Sequence, residues 1–262
     1  MKKMRSLQFV PAKEKFLKRS LNITSDAIII DLEDSVPASE KDLALGLVKE
    51  FLDDKKELDI PCFIRLNSDR IETEIKDLYH YNCGYMIPKF EGNQSFENCE
   101  KYFEGKEVIA LVETPLGVIN IEKTAKNALV NYIAFGAEDY TTNVSMKNSA
   151  ETLYYQKSIL VTYAKAYNKK VFDTPSFNYK DLEGLRDEVR SAVDLGFDGK
   201  LSIHPVQNQV INEEFDFYDL DFMKEVIEEF EKNNGDVLVY KNKVYEIPHI
   251  NHYKRILKDR NN

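Results

Sequence analysis

The stretch "AIIIDLEDSV" (residues 27–36) runs four apolar residues straight into three carboxylates, Asp31, Glu33 and Asp34. An apolar run without polar alternation reads as a strand buried on both faces, as in a parallel sheet covered by helices. Seven further runs have the same character: "SLQFV" (6–10), "CFIRL" (62–66), "YMIP" (85–88), "VIALVE" (108–113), "YIAFG" (132–136), "KVFD" (170–173) and "KLSIH" (200–204). Segments of helix length lie between them, at about 13–22, 38–52, 71–82, 95–104, 117–127, 149–168 and 180–195. In "SEKD" (39–42), Ser39 is placed to cap a helix, with Asp42 as the acidic residue at N3. Alternation repeated eight times predicts a (β/α)₈ barrel over a doubly wound sheet.

After His204 the pattern changes. A charged helix (219–233) leads to a hairpin-like stretch (236–247) with "KNK" as its turn, and a short helix (250–259) follows. The expected organisation is a barrel over 1–204 and a C-terminal extension over 205–262, packed on the barrel or on a neighbouring subunit.

Composition narrows the function classes. The 262 residues are 43% hydrophobic, enough for a substantial core. A net charge of −9 without a Lys/Arg stripe argues against nucleic acid as a partner. The three cysteines, Cys62, Cys83 and Cys99, are odd in number and lack metal-site spacing, so reduced thiols in a cytoplasmic protein are expected. No secretory leader is expected, and no membrane partner either, since no apolar run nears the ~20 residues of a membrane span.

In a (β/α)₈ barrel the site sits at the C-terminal ends of the strands. The residues at or just beyond those ends are Asp31 with Glu33, Arg65, Lys89, Glu113, Asp139, Asp173 and His204. Charge at any one strand end is ordinary solvation; as a set it predicts one polar mouth. Glu113 and Asp139 are hard oxygen donors without clustered His or Cys, which suits Mg²⁺. Arg65 can grip a substrate carboxylate through two parallel hydrogen bonds. Together they would hold a 2-oxo or 2-hydroxy acid and stabilise an enolate or alkoxide. Asp31 reads as a structural partner for a cation inside the barrel, and His204 as a hydrogen-bonded structural histidine. Lys89 would form a Schiff base only with a lowered pKa. Neither GxGxxG nor GxxxxGK occurs, against dehydrogenase and P-loop readings.

At these residues the chain resembles the citrate lyase β-subunit-like group of the HpcH/HpaI aldolase superfamily. The matching stretches are "RSLQFVPA" (5–12), "DAIIIDLEDSVPASEKDLA" (26–44), "IRLN" (64–67), "ALVETPLGV" (110–118), "AFGAEDYTTNV" (134–144) and the segment 173–207, which contains "GFDGK" and "IHP". The resemblance implies a TIM-type barrel assembled as a homotrimer or hexamer. It implies Mg²⁺-dependent cleavage of a 3-hydroxy-acyl thioester, such as citramalyl-, malyl- or citryl-CoA, to a 2-oxo acid and a shorter acyl-CoA or acyl-carrier thioester. By position, Glu113 and Asp139 are then the Mg²⁺ ligands, Arg65 binds the oxo-acid carboxylate, and Glu33 and Asp34 support the metal site. Thioester-lyase relatives carry a catalytic Asp in a C-terminal "MIDxP"-like segment that reaches a neighbouring subunit. Here "VYEIP" places Glu246 there, a longer carboxylate. A second departure is Ala12, where relatives carry the Gly of VPG. These departures leave two alternatives: a metal-dependent aldolase acting on a non-thioester 2-oxo acid substrate, or a non-catalytic paralogue that binds a small acid.

Overall fold

The computed structural model describes residues 3–54, 60–92, 96, 98–216, 220–233 and 237–260. Eight parallel strands close into a barrel in sequence order. They are β1 (Ser6–Pro11), β2 (Ala27–Asp31), β3 (Cys62–Arg65), β4 (Gly84–Ile87), β5 (Val108–Val112), β6 (Tyr132–Phe135), β7 (Lys170–Asp173) and β8 (Gly199–Ser202). Closure runs through Ser6 opposite Lys200 and Gln8 opposite Ser202. The expected (β/α)₈ class is therefore the observed one, with each predicted run on a strand.

Strand alternation sorts the side chains into two cores. Leu7, Ile29, Phe63, Met86, Ile109 and Phe172 fill the barrel interior. The intervening residues, among them Ile28, Ile30, Ile64, Ile87 and Val171, face the surrounding helices. Two-sided burial is the reason the strands read as unbroken apolar runs.

The helices of the barrel unit are α1 (Glu14–Ser20), α2 (Lys41–Asp54), α3 (Ile71–Leu78), α4 (Pro115–Ile119), α5 (Ile121–Lys126), α6 (Ala137–Asn143), α7 (Ala150–Ala166), α8 (Leu182–Leu195) and α9 (Pro205–Phe215). Three local expectations change. Ser39 does not cap α2: it lies in a 3₁₀ turn, Ala38–Glu40, preceded by Pro37, which has no side-chain acceptor to offer. The helix expected over 117–127 is two helices meeting at Asn120, whose side-chain amide donates to the Glu91 carbonyl at 2.9 Å. Of the helix expected over 95–104, residues 95 and 97 lie outside the described residues, and the others hold only a 3₁₀ turn, Glu100–Tyr102. Aromatic packing anchors that segment instead, with the Phe96 ring 5.3 Å from Phe90 and 5.0 Å from Phe103.

The chain divides into two compact units, Met1–Phe215 and Asp216–Asn262, rather than at the expected boundary after His204. Helix α9 belongs to the first unit because Ile211 is fully buried in the outer core and Asn208 bonds to Gln8 of β1 and Ser202 of β8. The second unit holds α10 (Leu220–Lys232), a hairpin of β9 (Leu238–Tyr240) and β10 (Lys243–Tyr245), and α11 (Ile247–Arg260). Lys241 and Asn242 turn the hairpin with φ of 48° and 63°, as a two-residue type I′ turn needs. Its core is Val226, Ile227, Phe230, Leu238, Tyr245 and Ile250. Among the described residues no helix is long and apolar enough to cross a membrane. All three cysteines are buried and unpaired.

Candidate active site

A cavity of about 460 Å³ lies at the C-terminal ends of the strands, and Arg65, Asp34, Glu113 and Asp139 all line it. Their convergence follows from register. Asp31 closes β2 directly opposite Arg65, which closes β3. Neighbouring strand ends thus bring an acid and a base together, and the guanidinium makes a bidentate pair with Asp31: Nε to Oδ1 at 2.7 Å and Nη2 to Oδ2 at 2.8 Å. Nη1 donates to Asp34 at 2.9 Å and lies 3.3 Å from a Glu33 oxygen. Phe9 of β1 closes one face of the guanidinium, its ring centre 5.0 Å away. Three of the five N–H donors of Arg65 are therefore engaged in hydrogen bonds to protein carboxylates.

Asp31 also accepts from the backbone N–H groups of Glu33 (2.9 Å) and Ser35 (3.1 Å). It ties the DLEDS turn to the Arg65 side chain. Lys41 pins the same turn from α2, donating to the carbonyls of Leu32 (2.9 Å) and Glu33 (2.5 Å). Burial would raise the Asp31 carboxyl, but the bonds to Arg65 outweigh it and hold the group below its usual range. Burial would lower Arg65, yet Asp31, Asp34 and Glu33 raise it further above an already high value.

Glu113 follows β5 and is almost wholly buried. Its Oε1 accepts the Lys89 backbone N–H at 2.8 Å. That N–H is aimed by an unusual backbone: Lys89 has φ of 47°, a conformation a side chain disfavours. Gly136, between β6 and α6, makes the room Glu113 needs. A Cβ there would stand 2.6 Å from Glu113 Oε2 and 2.7 Å from its Cβ. Gly136→Ala is therefore expected to displace the carboxylate while leaving the barrel folded. Calorimetric Mg²⁺ titration should show an affinity at least about tenfold weaker, with an unchanged circular dichroism spectrum; unchanged affinity would detach Gly136 from the site.

The electrostatics of this corner favour a cation. Burial pushes Glu113 up to about 8, and the neighbouring Glu33 and Asp139 charges add to the rise against the Lys89 N–H bond. Burial also raises Glu33, with Asp34 adding and Arg65 and Lys89 opposing. Glu33 Oε2 is buried without a hydrogen bond; its one close cation is Arg65. Among the described residues no group of three or more His, Cys, Asp or Glu side chains is arranged to enclose a metal. Mg²⁺ does not need one, since it is commonly held by one or two carboxylates and keeps several waters. Crowded, mutually repelling carboxylates beside an arginine already committed to Asp31 fit such an ion.

Other strand-end residues do not join the cavity. Lys89 directs Nζ to Glu33 at 3.3 Å, and although burial lowers its pKa, Glu33, Glu113 and Asp34 raise it overall. A raised ammonium is the opposite of what a Schiff base requires. Asp173 lies on the helix-facing side of β7, because Phe172 takes the interior position. It pairs with fully buried Lys200 (2.9 Å) and with Lys157 of α7 (2.9 Å). His204 is exposed, stacks on Tyr179 at 4.6 Å, and accepts the Val206 N–H at the start of α9. Glu246 is an exposed residue of the second unit, and its backbone N–H donates to His249 Nδ1 at 3.1 Å. Phe9, Gly136 and the Lys89 backbone were not singled out from the sequence.

A closed parallel barrel with a charged cavity at its strand C-termini is the architecture of an α/β-barrel enzyme. Residues 5–205 match the HpcH/HpaI aldolase/citrate lyase family. The citrate lyase subunit beta of Haemophilus influenzae is 30% identical, covering 98% of this chain and 97% of that protein. A (3S)-malyl-CoA thioesterase of Cereibacter sphaeroides is 27% identical over 94% of this chain and 90% of its own length. A solved citrate lyase beta subunit from M. tuberculosis, complexed with oxaloacetate and magnesium, is 26% identical with a TM-score of 0.68, covering 80% of this chain and 96% of that one. The chain belongs to the HpcH/HpaI aldolase/citrate lyase family. Within it, the chain is a citrate lyase β-like carbon–carbon lyase.

Proposed function

We propose that the chain cleaves the C2–C3 bond of a 3-hydroxy-acyl thioester and releases a 2-oxo acid, with Glu113 and Asp139 holding Mg²⁺. The observation that carries this reading is the strand-end cavity that buried Glu113, Asp139 and the partly committed Arg65 line together, with the Glu113 carboxyl raised by burial and by the Glu33 and Asp139 charges. Bound Mg²⁺ would supply Lewis-acid stabilisation of negative charge on the substrate hydroxyl and carboxylate oxygens. Arg65 holds the carboxylate next to the carbinol carbon, fixing the bond to be broken. Asp31 keeps the guanidinium in place, while Phe9 shields one face from water. As the C–C bond breaks, the hydroxyl proton leaves to a base, and the bond's electron pair passes into a thioester enolate that is then protonated on carbon. Glu246 is the candidate for that proton transfer, serving the cavity of a neighbouring copy in a trimer or hexamer. Its exposure is compatible with such a role.

The direct test is release of pyruvate, glyoxylate or oxaloacetate from citramalyl-, malyl- and citryl-CoA, with and without Mg²⁺. Metal-dependent release from one of them supports the proposal. Silence across the panel would leave a non-thioester aldolase or a small-acid-binding paralogue.

Metal binding should also be pH-dependent. With Glu113 raised from 4.5 to about 8, the metal-free fold favours the protonated acid, so this group's contribution to stability is present below pH 4.5 and lost as pH rises to about 8. Metal ligation needs the carboxylate. Mg²⁺ affinity is therefore expected to rise by about tenfold per pH unit from 6 towards 8, with about one proton released per ion at pH 7. Calorimetry in buffers of different ionisation enthalpy counts that proton; a pH-independent affinity would remove Glu113 from the coordination shell.

A further inference from the structure

We infer that Thr174 is a positioning residue: its hydroxyl oxygen caps helix α6 from the neighbouring strand and so holds Asp139 in place for the metal. This rests on the reading of Asp139 as a Mg²⁺ ligand. Asp139 stands in the first turn of α6, and Gly136, Ala137, Glu138 and Asp139 all line the cavity. The first N–H groups of a helix have no partner within it, and a Ser, Thr, Asn or Asp at the N-cap commonly supplies one. At α6 the N-cap is Gly136, which has no side chain to offer. A capping residue does not fit there, because its Cβ would meet Glu113 Oε2 at 2.6 Å. The room that Glu113 needs therefore leaves α6 without a cap of its own.

Thr174, just past the end of β7, supplies the missing acceptor. Its Oγ1 takes the N–H of Ala137 at 3.2 Å, and both residues are buried. On the other side, the Gly136 N–H donates to the Val112 carbonyl of β5 at 2.9 Å. The start of α6 is thus fastened to β5 through Gly136 and to β7 through Ala137. Asp139 follows two residues later.

Thr174 is itself held from both directions along the chain. Before it, Asp173 is bound by fully buried Lys200 and by Lys157, each at 2.9 Å, and Glu188 lies 3.2 Å from Lys200. After it, Pro175 biases Thr174 towards extended backbone. The Ser176 carbonyl then accepts Gln207 Nε2 of α9 at 2.8 Å. The ion cluster behind β7 gains a function in this way: it fixes the segment that caps α6.

Thr174→Val removes the acceptor and keeps the shape, whereas Thr174→Ser keeps the oxygen. The full chain and both variants are titrated with Mg²⁺ by calorimetry, and hydrogen exchange of the Ala137 amide is followed without metal. Thr174→Val is expected to bind Mg²⁺ at least about tenfold more weakly than either wild type or Thr174→Ser. Its Ala137 amide should exchange at least about tenfold faster than in wild type. Thr174→Ala, equally without an oxygen, gives the same comparison should valine disturb the packing. A smaller loss of affinity, a serine variant as weak as the valine one, or an Ala137 amide as protected as in wild type overturns the inference. If wild type binds no Mg²⁺, the metal reading fails and the inference falls with it. If wild type binds Mg²⁺, Asp139→Asn does not, and Thr174→Val binds as wild type does, the inference alone fails.

Discussion

Glu113→Gln is expected to abolish Mg²⁺-dependent turnover while leaving the barrel folded. Glutamine retains an oxygen to accept the Lys89 N–H, which Glu113 Oε1 now takes at 2.8 Å. Its shape suits the space left by Gly136. What it loses is the capacity to become an anion, and with it one of the two proposed metal ligands. Removing the cation's contribution to a developing oxyanion forfeits several kcal/mol, so kcat/KM should fall on the order of 10³-fold. Stability without metal should hold or rise, because Glu113 is a buried acid whose charged form is disfavoured above pH 4.5. Calorimetry, turnover and thermal unfolding together separate the cases. Lost metal binding with retained melting temperature supports ligation, whereas full activity would show that Glu113 is only a satisfied buried acid. Glu113→Ala should lose activity to the same degree and also strand the Lys89 N–H, so its stability is the less informative readout.

The barrel was legible in the sequence because two-sided burial removes polar alternation from its strands; "AIIID" is buried at all five positions. The mouth was legible for a related reason, since a parallel barrel gathers the ends of all its strands at one rim. Which strand-end charges enter the cavity was harder to read. Asp173 and Asp31 both end strands, yet one faces helices and Lys200 while the other lines the cavity beside Arg65. Phase along a four-residue strand decides this, and an all-apolar run carries no mark of phase. Gly136 had a weak signal, as a glycine between an apolar run and an acidic pair in "AFGAED". The positive φ of Lys89 had none, and the Glu113 carboxylate that its N–H meets is distant in sequence. The boundary after His204 rested on the loss of the strand–helix rhythm. Asn208, reaching from α9 to Gln8 of β1 across 200 positions, is the kind of contact that rhythm cannot report.

Arg65 has two tasks, and its variants should separate them. It is the pairing cation for Asp31, a buried acid held by two charge-assisted bonds, and it is the proposed clamp for a substrate carboxylate. Arg65→Ala removes both and leaves Asp31 buried without its cation, a loss of about 3–5 kcal/mol in stability. Arg65→Lys keeps a positive charge but cannot make the planar two-bond pair with Asp31 and still present two donors to a ligand. A moderate stability loss of about 1–2 kcal/mol is expected, with kcat/KM reduced on the order of 100-fold. The loss should fall mainly on KM if Arg65 grips the carboxylate equally throughout the reaction, and on kcat if it aligns the breaking bond only in the transition state. A double variant, Arg65→Leu with Asp31→Asn, removes both buried charges. It should recover most of the stability and none of the turnover, since the charge imbalance is relieved and the clamp is still absent. Recovery of turnover along with stability would show that Arg65 acts only through the fold, and the carboxylate clamp would then have to be sought elsewhere in the rim.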